Sequence, residues 1–166
     1  MTPSEKLDAI LNAGRTPTIG DVVDVDKYKY VWRVHGGIRC GDWLIAAPYG
    51  LLSDGATGVP DRCPEAFFGH DKLVLSPYAY YKNVRKKLSR KQCGKMYARI
   101  GLRRGLVAVW LEGMALAYLG LDKPVWNKYR AREAAGEDLI ATHTVPHAAC
   151  WSFPTQYTRD AIWTGV

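Results

Sequence analysis

The stretch YKYVWRVHGGIRCGDWLIAAP, residues 28–48, decides the fold. Tyr28, Tyr30, Trp32 and Val34 alternate with Lys29, Val31, Arg33 and His35, the period-two pattern of a strand with one aromatic face. His35-Gly36-Gly37 reads as a turn and Ile38-Arg39-Cys40 as the start of a returning strand. Asp42 to Ala46 is a further strand, stopped by Pro48. The stretch therefore predicts a small antiparallel meander.

Downstream the period lengthens. A loop rich in Gly, Asp and Pro, SDGATGVPDRC at 53–63, precedes a helix from Pro64 to about Val74. Residues 76–88 read as a Tyr- and Lys-rich connection. Ser89 and Gln92 form a capping box that opens a helical region from Arg90 to about Leu119. Met96, Ile100, Val107, Leu111, Met114 and Tyr118 make its apolar stripe, while Gly94, Ala98, Gly101, Gly105 and Ala108 make a small-residue face suited to close packing. Gly101 and Gly105 predict a break near its middle. Strands come first and helices after, so the expected class is α+β, with a small antiparallel sheet packed on two or three helices. Tyr28, Tyr30, Trp32, Val34, Phe67, Val107, Leu111 and Tyr118 are the expected shared core.

Upstream, Thr2, Pro3 and Glu5 start a short helical arm that carries Leu7, Ile10 and Leu11 on one face and ends at Gly14. An acidic connector with Asp21, Asp24 and Asp26 follows; it lacks the glycine and the later glutamate of a calcium loop. Beyond Lys123 to Glu137, which read as a short amphipathic helix, the chain from Ala141 has no clear period. It does carry Trp151, Phe153, Tyr157, Ile162 and Trp163, apolar anchors that need a support. The expected organisation is an N-terminal arm and connector at 1–27, a core domain at 28–120 and an extended C-terminal tail at 121–166.

With 166 residues, 48% of them hydrophobic, the chain has the material for a packed core and is not wholly disordered. Cys40, Cys63, Cys93 and Cys150 are 23, 30 and 57 residues apart, without any C-x-x-C pair, which excludes a zinc ribbon or a thioredoxin motif and reads as reduced core cysteines. Gly105 to Leu121 holds one charge, Glu112, in 17 residues; it reads as a buried helix rather than a membrane span.

The net charge of +7 is unevenly placed. No acidic residue lies between Asp71 and Glu112, an interval that holds 11 of the 23 basic residues, whereas ten of the 16 acids fall at or before Asp71. Lys82, Arg85, Lys86 and Lys87, preceded by Tyr78, Tyr80 and Tyr81, are the candidate contacts to nucleic-acid phosphates. Pairing with acidic protein surface is the competing use of the same charges. For chemistry, a loop Asp54 followed by the adjacent pair His70 and Asp71 is a possible divalent-metal set, since carboxylate and imidazole donors suit Zn, Mn or Fe. The same residues also read as a structural hydrogen-bond network, in which Asp54 holds its own loop and reaches His70 or Arg90.

The order of these motifs resembles a small phage and prophage family, domain of unknown function 1353, over roughly residues 28–120. The residues that carry the resemblance are Ser53-Asp54-Gly55-Ala56-Thr57, the helix with Phe67, Phe68, His70 and Asp71, and Ser89-Arg90-Lys91-Gln92 before a Gly-rich helix ending Ala117-Tyr118-Leu119-Gly120. The family pattern also has an Asp a few residues after the Arg; Gly94 stands there in this chain. The resemblance implies a virion-associated structural protein, a minor tail, neck or capsid component made in the host cytoplasm. Its partners would be other virion proteins or copies of itself, bound through the terminal extensions, with nucleic acid possible and no membrane. The structural network would comprise Asp54, Gly55, Ala56, Thr57, His70, Asp71 and Arg90, with no catalytic residue and no cofactor. The alternative is a metal-dependent hydrolase with one divalent ion on Asp54, His70 and Asp71. A third reading is a basic nucleic-acid-binding accessory protein.

Overall fold

The computed structural model describes residues 28–150, together with residues 9 and 12–14. Most of the predicted N-terminal helix, and the aromatic anchors from Trp151 to Trp163, lie outside the described residues.

The fold is α+β, as the change of period implies. Strand β1 (Tyr30–Val31) pairs antiparallel with β4 (Leu52–Ser53). A second, four-stranded antiparallel sheet has the order β2 (Ile38–Cys40), β3 (Trp43–Ile45), β5 (Tyr78–Tyr81), β6 (Val84–Lys87). The last hairpin falls where the sequence reads as a connection. Its turn is Lys82-Asn83, with φ of 46° and 66°, a left-handed pair formed without glycine.

Helix α1 (Pro64–Leu75) is the centre of the molecule and is buried along almost its whole length. Pro64 fits its first turn, where no intrahelical N–H is required, and Phe67 and Phe68 pack on Tyr30 and Trp32 at centroid distances of 5.3 and 5.0 Å. The buried Lys72 ammonium donates to the carbonyls of Ser76 and Tyr78, tying the end of α1 to β5. Helix α2 (Arg90–Arg103) begins with the predicted capping box: Ser89 Oγ accepts from Gln92 N–H, and Gln92 Oε1 accepts from Ser89 N–H at 2.7 Å. The four cysteines are buried and unpaired with one another.

The break predicted near Gly101 and Gly105 lies at Gly105, where φ is +71° and the chain turns back into α3 (Val107–Leu119). The two helices approach closely because their facing residues are small. A Cβ on Gly94 would lie 2.6 Å from the Ala117 amide nitrogen, and one on Gly113 would collide with the Ala98 backbone. This turn corrects the expected core. Met96 and Ile100 of α2 are buried, but Val107, Leu111 and Tyr118 of α3 are 59, 56 and 55% exposed, because α3 presents Val109, Gly113 and Ala117 to α2 instead. No helix among the described residues is long and apolar enough to cross a membrane.

After Gly120, a left-handed helix stop, α4 (Lys123–Ala134) packs on α1. The short helices α5 (Leu139–Thr142) and α6 (His147–Cys150) follow. Leu139 joins the main core, and Thr144 bridges to Leu51 beside a second cluster of Val31, Leu52, Val145 and Cys150. Residues 122–150 are thus packed into the same body as the strands.

Candidate functional site

Helix α1, strand β4 and the turn between α3 and α4 converge on a cavity of about 460 Å³. Its wall includes Ser53, Asp54, Gly55, Ala56, Thr57, Phe67, His70 and Asp71, most of the loop and α1 residues singled out from the sequence. Arg90 stands behind the wall and acts through Asp122.

The predicted contact from Asp54 to His70 or Arg90 is not formed. Both partners hold Asp122 instead: His70 Nε2 lies 3.0 Å from Asp122 Oδ2, and Arg90 Nη1 donates to Asp122 Oδ1 at 2.7 Å. Arg90 also donates to the Leu116 and Ala117 carbonyls at 2.6 and 3.3 Å, so one guanidinium caps the end of α3 and anchors the acid after it. Burial pushes the Asp122 carboxyl up, but the hydrogen bonds and charges of His70 and Arg90 outweigh it and hold the group below its ordinary value. Gly94 cannot carry the acid of the family pattern, since Ala117 fills the space its side chain would need.

The loop is held by other groups than expected. Ser53 Oγ accepts from Gly55 N–H at 3.0 Å and donates to Asp71 Oδ2 at 2.5 Å. Asp61 accepts the Ala56 N–H at 2.6 Å and the Tyr30 hydroxyl at 2.7 Å. Asp54 is itself exposed at the cavity rim. Asp71 is half-buried; burial drives its carboxyl well above the ordinary value, Asp54 and Asp61 add like charge, and only the Ser53 hydroxyl works the other way. Tyr97, also on the wall, donates to Glu112 at 3.0 Å, and Glu112 pairs with Arg62 at 3.2 Å. Burial and then the Glu112 charge raise the Tyr97 phenol.

Among the described residues no group of three His, Cys, Asp or Glu side chains is placed to hold a metal ion. A divalent ion on Asp54, His70 and Asp71 would have to take His70 from Asp122 and Asp71 from Ser53. Asp122, Asp61, Glu112 and Tyr129, which build much of the site, were not signalled by any motif. The one clue was Arg90, a cation at a helix start with no acid near it in sequence.

The basic candidates do come together. Lys82, Arg85, Lys86 and Lys87 are all exposed on the β5–β6 hairpin, and the Arg85 guanidinium stacks 3.7 Å from the centroid of Tyr78. No family model, curated protein or solved structure matches the chain.

Proposed function

We propose that this chain is a structural subunit of a phage particle, a minor tail, neck or capsid component held by direct contact with neighbouring subunits. The observation that supports this reading is the outer face of α3. Val107, Leu111 and Tyr118 share one side of the helix, and Leu119, Leu121 and Val125, at 74, 65 and 48% exposure, extend the apolar surface towards α4. Isolated exposed leucines are ordinary, but several exposed apolar side chains on and beside one helix suit a contact surface. The motif order at 53–71 and 89–120 supplies the phage setting through its family resemblance. Mass spectrometry of purified particles tests the proposal: peptides of this chain should be recovered from mature virions, and particles complete without it would overturn the reading.

A second reading has its own observation, the gathering of four basic side chains on one exposed hairpin. Contact with nucleic-acid phosphates there predicts binding that falls steeply with salt. A basic edge strand also blocks sheet-to-sheet aggregation, and β6 is an edge strand. A flat salt response, or binding unchanged when Arg85, Lys86 and Lys87 are replaced by Gln, would leave only that protective role.

A further inference from the structure

The cavity shares Leu121 and Val125 with the apolar surface beyond α3, but its acids and tyrosines serve neither that surface nor the basic hairpin. Its lining includes the apolar side chains of Val74, Leu116 and Val125. It also includes Asp71, Tyr28 and Tyr129. The two tyrosine rings stand edge-on to His143 at centroid distances of 6.0 and 5.6 Å, and both phenols lie within electrostatic reach of the Asp71 carboxyl. Two of the wall's acids are already matched, Asp122 by Arg90 and His70, and Glu112 by Arg62 and Tyr97. Asp71 is different. Its Oδ2 takes the Ser53 hydroxyl, no cation is bonded to it among the described residues, and Asp54 and Asp61 lie near enough to add like charge. A half-buried carboxyl in that setting is relieved by a cation.

We propose that this cavity binds an organic ammonium ion on a short apolar stem, with Asp71 as its counter-charge, Tyr28 and Tyr129 as aromatic walls, and Val74, Leu116 and Val125 around the stem. Aromatic faces attract ammonium groups by about 0.5–2 kcal/mol, more as water is removed. The cavity volume, about 460 Å³, falls in the range of small-molecule sites. Asp54, Asp61 and Asp71 together repel an anion. The aromatic and apolar lining suits an organic cation rather than a hydrated inorganic one, which would keep its water.

The test is calorimetric titration of the full chain with n-hexylammonium chloride, beside 1-hexanol and sodium hexanoate as neutral and anionic stems of equal length. Hexylammonium should bind saturably and at least about tenfold more tightly than hexanol, and hexanoate should not bind. Asp71→Asn should weaken hexylammonium at least about tenfold and leave hexanol unchanged. Nα-acetyl-lysine amide, run in parallel, separates a free amine from a lysine side chain as the source of the ammonium. Equal affinity for hexanol and hexylammonium would overturn the proposal, as would no hexylammonium binding at millimolar concentration. An Asp71→Asn variant that loses both ligands alike would also overturn it. If that variant fails to fold, Tyr129→Leu serves in its place, with the same outcomes required.

Discussion

Replacing Asp122 by Ala should lower the stability of this protein by about 3 kcal/mol. The figure follows from what the carboxylate touches. Asp122 is 6% exposed in its side chain and joins His70, 11% exposed, to Arg90, 21% exposed. Hydrogen bonds to charged groups contribute about 1.5–3 kcal/mol each, so two such bonds set an upper limit of about 6 kcal/mol. Arg90 keeps the Leu116 and Ala117 carbonyls when the acid is gone, which removes much of its share. His70 has no other hydrogen-bond partner among the described residues and is left facing the cavity. For a chain of this size the loss corresponds to a melting temperature lower by roughly 6–12 °C. Asp122→Asn, which keeps an acceptor oxygen but not the charge, should cost less, about 1–2 kcal/mol.

The pH dependence carries a second check on the same residue. The folded carboxyl titrates below its ordinary value, so the stability it contributes is present above the ordinary carboxyl range and is lost as pH falls through the folded value. The difference between wild type and Asp122→Asn should therefore shrink in acid. Urea unfolding of both proteins from pH 7 down to pH 3 measures it. An Asp122→Ala protein that melts within about 1 °C of wild type at pH 7 would refute the reasoning, because the acid would then hold nothing that water does not replace.

Three further outcomes follow from the same geometry. Gly94→Ala should destabilise the fold by about 1–3 kcal/mol in thermal melts, because the new methyl meets the Ala117 backbone rather than a side chain that can move; a neutral result would mean that α2 and α3 slide apart freely. Asp71→Asn should instead stabilise at pH 7. The raised carboxyl contributes stability below its unfolded value and loses it as pH rises through the folded one, whereas Asn has no such loss; a variant less stable than wild type at pH 7 in urea would contradict this. Leu111→Glu combined with Leu119→Glu should melt within about 0.5 kcal/mol of wild type, since both side chains are more than half exposed, yet should be absent from purified particles.

The parts of the fold that could be read from sequence are those where one local signal had no competitor. The Ser89 capping box and the Gly105 break each act within a few residues. The alternation at 28–34 misled: only Tyr30–Val31 form a strand, and it pairs with Leu52–Ser53 rather than returning through Gly36-Gly37 to Ile38–Cys40, which belongs to the other sheet. The β5–β6 hairpin was hidden for two reasons. Its left-handed turn is made by Lys82 and Asn83 without glycine, and all four residues of β6 are exposed, so no alternation marks it. The stripe of Val107, Leu111 and Tyr118 is a true helical period, but a period does not say which face is covered. Small residues that allow close approach won that place from larger ones. Of the site, the loop at 53–57, His70, Asp71 and Arg90 were legible, because motif residues sit close together. Asp122 was not, because it is 52 residues from His70 and 32 from Arg90 and has no pattern of its own.

Gly94 and Asp122 are two halves of one arrangement. Gly94 lies one turn after Arg90 on α2. In this chain that position faces α3 at a separation that admits no side chain. The glycine lets α3 close on α2, and closure brings the carbonyls of Leu116 and Ala117 within reach of the Arg90 guanidinium. The helix then ends at Gly120, and the next turn delivers Asp122 to the remaining face of the same guanidinium and to His70. A carboxylate supplied from α2 would be fixed by one helix; supplied after α3, it ties α1, α2 and the α3–α4 turn to one point. The cavity wall depends on that point, since His70 and Asp122 both form it. The site is thus built by the packing of α2 on α3, although the acid at its centre, Asp122, lies on neither helix.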